Sequence, residues 1–303
     1  MHLRREVPLL LMFVAASLAS VGCKKSPRPA QQTLAVGLAP LAAASEPAAL
    51  AVNGYGPAVV VPPAGATKPM PVVVAVLGIG DTPEEQCGTW KDLVGSRGFV
   101  LCPRGAPHYV PDEVDDASLP PDEPAAGEAV STEGETEKPQ KAVDGGWSHV
   151  EGYWPVDLAT LDAEVTAGLA SLKARYPGYV SSSVLYAGFS RGAFLGASLG
   201  VRRPATFPRL VLIEGGQSPW QPETAAAFAR GGGKRVLFVC GQPSCVEEAE
   251  LAATTLRAQR VETRVVHGAG EGHGYKKQVK EELRRSFDWA IEGDPIWREL
   301  LAR

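Results

Sequence analysis

The chain has 303 residues, 45% of them hydrophobic, and a formal net charge of −4 at pH 7. This length is enough for one large domain with a sizeable apolar core. The sequence has no basic cluster and no basic run interleaved with aromatic residues, so it argues against a nucleic-acid-binding protein.

Residues 1–23 have the pattern of an export signal. An arginine pair precedes an apolar core, Val7–Ala19, that is too short to cross a membrane. The sequence Leu18–Cys23 resembles the lipobox of bacterial lipoproteins, with serine where leucine is usual three positions before the cysteine. The resemblance implies lipidation of Cys23 and a lipid-anchored protein of the cell envelope. The alternative is cleavage near Ala19, which would give a periplasmic or secreted protein.

Two further segments have compositions that predict disorder. Residues 24–51 are rich in Ala, Pro, Gln and Ser without a sustained period, which predicts a flexible tether. Residues 111–142 hold ten Asp or Glu, two Lys and five Pro and no aromatic residue, which predicts a disordered acidic insertion. A calcium-binding or gating loop is the alternative, but the spacing of an EF-hand loop is absent. The insertion interrupts a domain that we place at 52–303.

Within this domain, strand and helix patterns alternate. Six short segments are predicted strands: Val72–Leu77, Phe99–Cys102, Val184–Ala187, Leu210–Glu214, Arg235–Cys240 and Glu262–His267. Among them, Val72–Leu77 is a continuous apolar run of the kind buried on both faces of a parallel sheet. The predicted helices have apolar residues three and four apart: Pro155–Tyr176, Val246–Arg260 and Tyr275–Ile291. This alternation predicts an α/β fold with a largely parallel sheet covered by helices on both faces.

One strand leads directly into Gly188-Phe189-Ser190-Arg191-Gly192, followed by a helical segment with small residues. In a G-x-S-x-G turn the two glycines let backbones approach closely, and the serine between them is exposed in a strained conformation. Ser190 is therefore the candidate nucleophile.

The order of elements, the Gly188–Gly192 turn and Gly270-Glu271-Gly272-His273-Gly274 after the last strand resemble an α/β-hydrolase. The resemblance covers about Val59–Ile291, and the compact form is similar to the dienelactone-hydrolase, phospholipase/carboxylesterase and feruloyl-esterase-like groups. Dienelactone hydrolases proper use a cysteine, whereas this chain has a serine. The resemblance implies hydrolysis of a small-molecule ester through an acyl-enzyme intermediate, with no cofactor.

A serine hydroxyl needs a base, because it is a weak nucleophile at neutral pH. His273, in the glycine-flanked loop after the last strand, lies where the resemblance implies the catalytic histidine, and His267 is the alternative. The resemblance also implies two backbone N–H donors for the oxyanion, from Arg191 and from the Gly78-Ile79-Gly80 turn, where we favour Ile79 over Gly80.

The third catalytic residue is harder to predict, because no Asp occurs between the candidate serine and histidine. The usual loop for the acid reads Gly241-Gln242-Pro243-Ser244-Cys245 and has no carboxylate. Glu214, at the carboxyl end of a strand, is the first candidate and Glu247 the second. A site without a third member, or a buried carboxylate with only a structural role at Glu214, stays open.

Apart from Cys23, four cysteines remain, which allow three pairings. We expect Cys87 to pair with Cys102 and Cys240 with Cys245, as suits an exported protein. Their spacing is not that of a metal site.

These observations favour a serine esterase. A serine peptidase of the same fold and a catalytically silent binding protein are the alternatives. Several loop aromatics predict either an aromatic-lined acyl pocket or ordinary packing: Trp147, Tyr153, Trp154 and Trp220.

Overall fold

The structure is a computed structural model, and it describes residues 38–42, 47–111 and 147–301. The predicted export signal with Cys23, most of the predicted tether and nearly all of the acidic insertion lie outside these residues. In the described part, no helix has both the length and the apolar character needed to span a membrane.

The described residues form ten strands, with the bounds β1 Ala48–Leu50, β2 Ala58–Val61, β3 Met70–Val76, β4 Phe99–Cys102, β5 Ala106–Pro111, β6 Trp147–Trp154, β7 Val180–Phe189, β8 Arg209–Ile213, β9 Arg235–Cys240 and β10 Glu262–His267. Eight of them form the central sheet, in the spatial order β1-β2-β4-β3-β7-β8-β9-β10. The strands β1 and β2 are antiparallel to their neighbours, and the pairs from β4 to β10 are parallel. A separate antiparallel hairpin, β5 with β6, flanks the acidic insertion.

Helices cover both faces of this sheet. Their bounds are α1 Pro83–Val94, α2 Leu158–Arg175, α3 Arg191–Arg202, α4 Pro222–Arg230, α5 Pro243–Ala258, α6 Lys277–Ile291 and α7 Pro295–Leu301. Side chains of β3 alternate between two apolar cores: Val72 and Val74 pack with residues of α2 to α5, and Val73 packs with residues of α1, α6 and α7. The predicted parallel sheet with two covered faces is therefore confirmed.

The folded body begins before residue 52, where the tether was expected to end. Residues 48–50 form β1 at the sheet edge. Farther back, Leu41 N donates to Ala66 O over 2.9 Å, and the Tyr179 hydroxyl donates to Ala39 O over 2.6 Å. The alanine-rich composition concealed this boundary because these contacts use backbone atoms, which any residue supplies.

Both expected disulfides are present. Cys87 in α1 bonds Cys102 at the end of β4, with both residues buried in the core. Cys240 at the end of β9 bonds Cys245 in the first turn of α5.

Candidate active site

Ser190 is the single residue between the end of β7 and the start of α3. Its φ of 51° and ψ of −117° are rare for any residue other than glycine. Its backbone N donates to Ile213 O over 2.8 Å, and its side chain makes no capping hydrogen bond to α3. The backbone is thus held in a strained turn while the hydroxyl remains available for other contacts.

The flanking glycines are required by close backbone approach. A Cβ at Gly188 would collide with the carbonyl of Gly192, and a Cβ at Gly192 would lie 2.5 Å from Leu77 O. The Tyr186 hydroxyl donates to Gly192 O over 2.7 Å. This packing holds the start of α3 against the end of β3 and explains the local sequence.

The loop between β10 and α6 brings His273 to the serine. His273 Nε2 lies 2.8 Å from Ser190 Oγ, and the histidine side chain is 48% exposed. The Glu271 carboxylate shapes this loop by accepting hydrogen bonds from the backbone N of Lys276 and of Gln278, each over 3.1 Å. The Glu271 side chain thus closes the loop that holds His273 at the serine hydroxyl.

Glu214 directly follows β8, has a φ of 52°, and its side chain is fully buried. Its Oε2 lies 3.4 Å from Nδ1 of His273. Its Oε1 accepts hydrogen bonds from the backbone N of Gly241 and, over 3.3 Å, of Gln242. One carboxylate oxygen is thus anchored, and the other faces the histidine.

The turn after β3 is held in place by its own side chain and by β6. Asp81 Oδ2 accepts a hydrogen bond from Gly78 N over 3.1 Å. Gly80 N donates to Tyr153 O over 3.1 Å, and Tyr153 N donates to Asp81 O over 2.9 Å. Burial raises the pKa of the Asp81 carboxyl above its ordinary value, and the bond from Gly78 opposes this effect only in part.

The two predicted oxyanion donors lie beside the serine. Ile79 and Arg191 line the same groove as Ser190. The Arg191 side chain donates from Nε to Pro155 O over 2.8 Å, and its guanidinium lies 4.8 Å from the centre of the Trp154 ring. Arg191 therefore braces the chain after β6 with its side chain, while its backbone N stays at the start of α3.

Phe189 connects the serine turn to the other parts of the site, and sequence reasoning missed this role. Its ring centre lies 5.4 Å from that of His273 and 5.4 Å from that of Tyr275, on which it stacks. A Cβ at Gly78 would lie 2.9 Å from the Phe189 ring. An aromatic residue next to the serine was the available signal.

Two cavities flank the Ser190–His273 pair. A groove of about 410 Å³ on the serine side has an apolar rim, where Ile79 is 49% and Phe194 46% exposed. A second cavity, of about 550 Å³, lies on the histidine side and is lined by both aromatic and charged side chains. The charged residues that line the second cavity are Asp81, Glu85, Lys276, Lys277 and Lys280.

Other sequence candidates lie elsewhere. His267 ends β10 with Nε2 3.4 Å from Gly241 O, and Glu247 is exposed on α5. Trp220 is buried and donates to Gly216 O over 2.8 Å, so it packs in the core and does not line an acyl pocket. Among the described residues, no group of three or more His, Cys, Asp or Glu is placed to hold a metal ion.

The sheet order, the helical layers and the serine turn define the class of architecture: the chain has the α/β-hydrolase fold. The sequence matches no protein-family model and no curated protein sequence.

Three solved structures of this fold are similar to the chain. A putative dienelactone hydrolase from Klebsiella pneumoniae is 17% identical with a TM-score of 0.50, and the match covers 81% of this chain and 98% of that one. Est1E from Butyrivibrio proteoclasticus is 11% identical with a TM-score of 0.50, and the match covers 81% of this chain and 99% of that one. The acylaminoacyl peptidase of Pyrococcus horikoshii is 10% identical with a TM-score of 0.51, over 82% of this chain but only 41% of that one.

Proposed function

We propose that this protein is a serine hydrolase that cleaves carboxylic esters through an acyl-enzyme intermediate. Ser190 is the nucleophile, His273 the general base and acid, and Glu214 the carboxylate that orients the histidine. The observation that carries the proposal is the 2.8 Å distance from Ser190 Oγ to His273 Nε2, with Nδ1 of the same ring 3.4 Å from the buried Glu214 carboxylate.

In the first half of the reaction, Ser190 Oγ attacks the ester carbonyl carbon and its proton passes to His273 Nε2. The oxyanion of the tetrahedral intermediate accepts hydrogen bonds from the backbone N–H groups of Arg191 and Ile79. When the intermediate collapses, the carbon–oxygen bond to the alcohol breaks. His273 then gives its proton to the departing alkoxide, and the alcohol leaves.

In the second half, water takes the place of the alcohol. His273 removes a proton from the water, and the hydroxide attacks the acyl carbon. The second intermediate releases Ser190, which regains its proton from His273, and the free acid departs. The apolar rim formed by Ile79 and Phe194 suits the hydrocarbon part of the acyl group.

Covalent labelling by a fluorophosphonate probe tests the nucleophile. The wild type should be labelled and should hydrolyse p-nitrophenyl acetate, and Ser190→Ala should lose labelling and at least about a thousandfold in kcat/KM. Ser182→Ala, an exposed serine of the same strand, is the matched control and should retain both activities.

The same experiments separate the alternatives. Cleavage of peptides with no ester preference would favour a peptidase. A folded wild-type protein that the probe does not label would favour a silent binding protein and would overturn the proposal.

We also propose that the protein is exported and anchored through lipidated Cys23. The lipobox-like sequence supports this, and so do the two disulfides, because disulfides persist in oxidising compartments. Metabolic labelling with palmitate should occur in the wild type and be lost in Cys23→Ala. Equal labelling of both would contradict the anchor.

A further inference from the structure

The loop between β9 and α5 contacts the candidate acid although it carries no carboxylate of its own. Its two backbone amides, Gly241 N and Gln242 N, both donate to Oε1 of Glu214. With Oε1 held in this way, Oε2 is the oxygen that faces Nδ1 of His273. The loop thus determines which carboxylate oxygen meets the histidine.

The same loop also contacts the segment that carries the histidine. A Cβ at Gly241 would lie 2.5 Å from Gly272 O, 3.0 Å from Cγ2 of Val279 and 3.2 Å from Oε1 of Glu214. The glycine is therefore packed between the acid and the neighbour of His273. A shift of this loop would change the position of both partners.

A disulfide closes this loop at its two ends. Cys240 is the last residue of β9 and Cys245 lies five positions later, in the first turn of α5. Gln217 Nε2 donates to Cys245 Sγ over 3.1 Å, which connects the bridge to the segment after Glu214. The bridge limits the conformations open to the loop and hence to its two amides.

We propose that the loop Gly241–Gln242, closed by the Cys240–Cys245 disulfide, is a positioning element for Glu214. It sets the carboxylate toward His273 through backbone amides and does not touch the substrate. This inference rests on the proposed function and extends it to residues outside the three catalytic groups.

The second disulfide provides a matched control. Cys87–Cys102 is buried in the core between α1 and β4 and closes a longer loop, with a sequence separation of 15 against 5. Loss of the longer loop's bridge should lower thermal stability more, because a longer closed loop restricts the unfolded chain more strongly. Loss of Cys87–Cys102 should therefore have the larger effect on thermal stability, and loss of Cys240–Cys245 the larger effect on activity.

The first experiment measures kcat and KM for p-nitrophenyl acetate in two double variants. In Cys240→Ala with Cys245→Ala, kcat should fall about tenfold to a hundredfold, and KM should stay within about twofold, because the catalytic groups are displaced while binding is retained. In Cys87→Ala with Cys102→Ala, kcat should equal that of the wild type. Its melting temperature should be lower than that of the variant without Cys240 and Cys245. Equal kcat values in both variants would overturn the inference.

A double-mutant cycle tests whether the bridge acts through the acid. On a Glu214→Gln background, removal of Cys240 and Cys245 should cost no more than about a further twofold in kcat, because the group that the loop positions is already lost. If the loss of kcat on removing the two cysteines is as large in Glu214→Gln as in the wild type, the bridge acts independently of Glu214. That result would contradict the proposal.

A variant that keeps the bridge gives a separate test. Gly241→Ala should lower kcat in the same way, because the added methyl group would meet Gly272 O and Glu214. Gly88→Ala is its control, since a Cβ there meets nothing within 4 Å. If the double cysteine variant does not fold, Gly241→Ala and Gly88→Ala provide the test. Full kcat in Gly241→Ala would overturn the proposal, whereas a loss of kcat in Gly241→Ala with full kcat in Gly88→Ala would support it.

Failure of the inference is distinguishable from failure of the proposed function. If the wild type neither reacts with fluorophosphonate nor hydrolyses the ester, the proposed function has failed. If the wild type does both and the loop variants match it in kcat, only the positioning role is wrong.

Discussion

The serine side and the acid side of the site are constructed in different ways. Ser190 is placed by five consecutive residues, Gly188–Gly192, whose glycines allow the backbone contacts of the turn. Glu214 is placed by its own strand end and by the amides of a loop 27 residues later in the chain. The serine side is therefore a local motif, whereas the acid side depends on the assembled sheet.

This difference predicts where the site tolerates substitution. In the serine turn, the residues that set the geometry are consecutive in the chain, although they pack against Leu77 O and Ile213 O of neighbouring segments. On the acid side, substitutions in several loops can disturb the site, because Glu214 contacts both Gly241 and His273 and Gly241 packs against Gly272. The following predictions test that distinction, beginning with the largest effect.

His273→Ala should reduce kcat/KM for an ester by about a hundredfold to ten-thousandfold, because Ser190 loses the base 2.8 Å from its hydroxyl. Steady-state kinetics measure the loss. His267→Ala, whose ring contacts Gly241 O and not the serine, should lose far less. The reverse order of effects would show that the histidine is misassigned.

Glu214→Gln should reduce kcat by about a hundredfold or more, because an amide does not stabilise the imidazolium as a carboxylate does. Glu247→Gln is the isosteric control, and it should retain full turnover since Glu247 is exposed on α5. Near-normal turnover in both variants would mean that the site works with serine and histidine alone. The residues around Glu214 would then have no role in catalysis.

Gly192→Ala should destabilise the fold by about 1–3 kcal/mol, because its methyl group would lie 2.5 Å from Leu77 O in a packed backbone contact. Urea unfolding measures this change. Gly88→Ala, within α1 and free of close neighbours, should instead leave stability unchanged or raise it slightly. If both variants behave alike, close approach is not the reason for glycine in the serine turn.

The smallest expected effect concerns Asp81, in the turn that packs against Phe189. Burial raises the pKa of this carboxyl above its ordinary 3.8, so the folded chain binds the proton more tightly than the unfolded chain does. The stability that this group contributes is therefore complete below pH 3.8 and decreases as the pH rises through the folded-state pKa. Asp81→Asn should remove this decrease and be the more stable protein at pH 7.

Melting temperatures of the wild type and Asp81→Asn between pH 4 and pH 7 measure the effect. The difference between the two proteins should grow with pH over this window. A constant difference would show that the carboxyl does not titrate in it.

Much of the sheet and the serine turn could be predicted from sequence, because their signals are local. The bounds of β4, β9 and β10 coincide with the predicted segments, and β4 and β9 are almost continuously apolar. Gly188–Gly192 carries its own signal in its glycines. The last strand and the glycine-flanked loop after it indicated the position of His273 in the same way.

Some elements were not predicted. Ala58–Val61 is one of them, although it is as long as the predicted β4. The two strands of the β5–β6 hairpin are separated in the sequence by the acidic insertion. Helix α1 has an interior glycine, and α4 has only nine residues, so each gives a short or interrupted helical signal. Glu214 could be ranked above Glu247 from its place at a strand end, but its 3.4 Å distance to His273 depends on how the strands and loops pack, which a sequence does not display.

The hairpin also has a consequence for chain length. Pro111 pairs with Trp147, so the two residues that border the segment 112–146 lie at paired backbone positions. When the ends of an insertion already meet, doubling or halving its length changes the closure free energy by only about 0.6 kcal/mol. This position is therefore a permissive junction, where a reporter, an affinity tag or a second domain can be grafted with its two ends side by side.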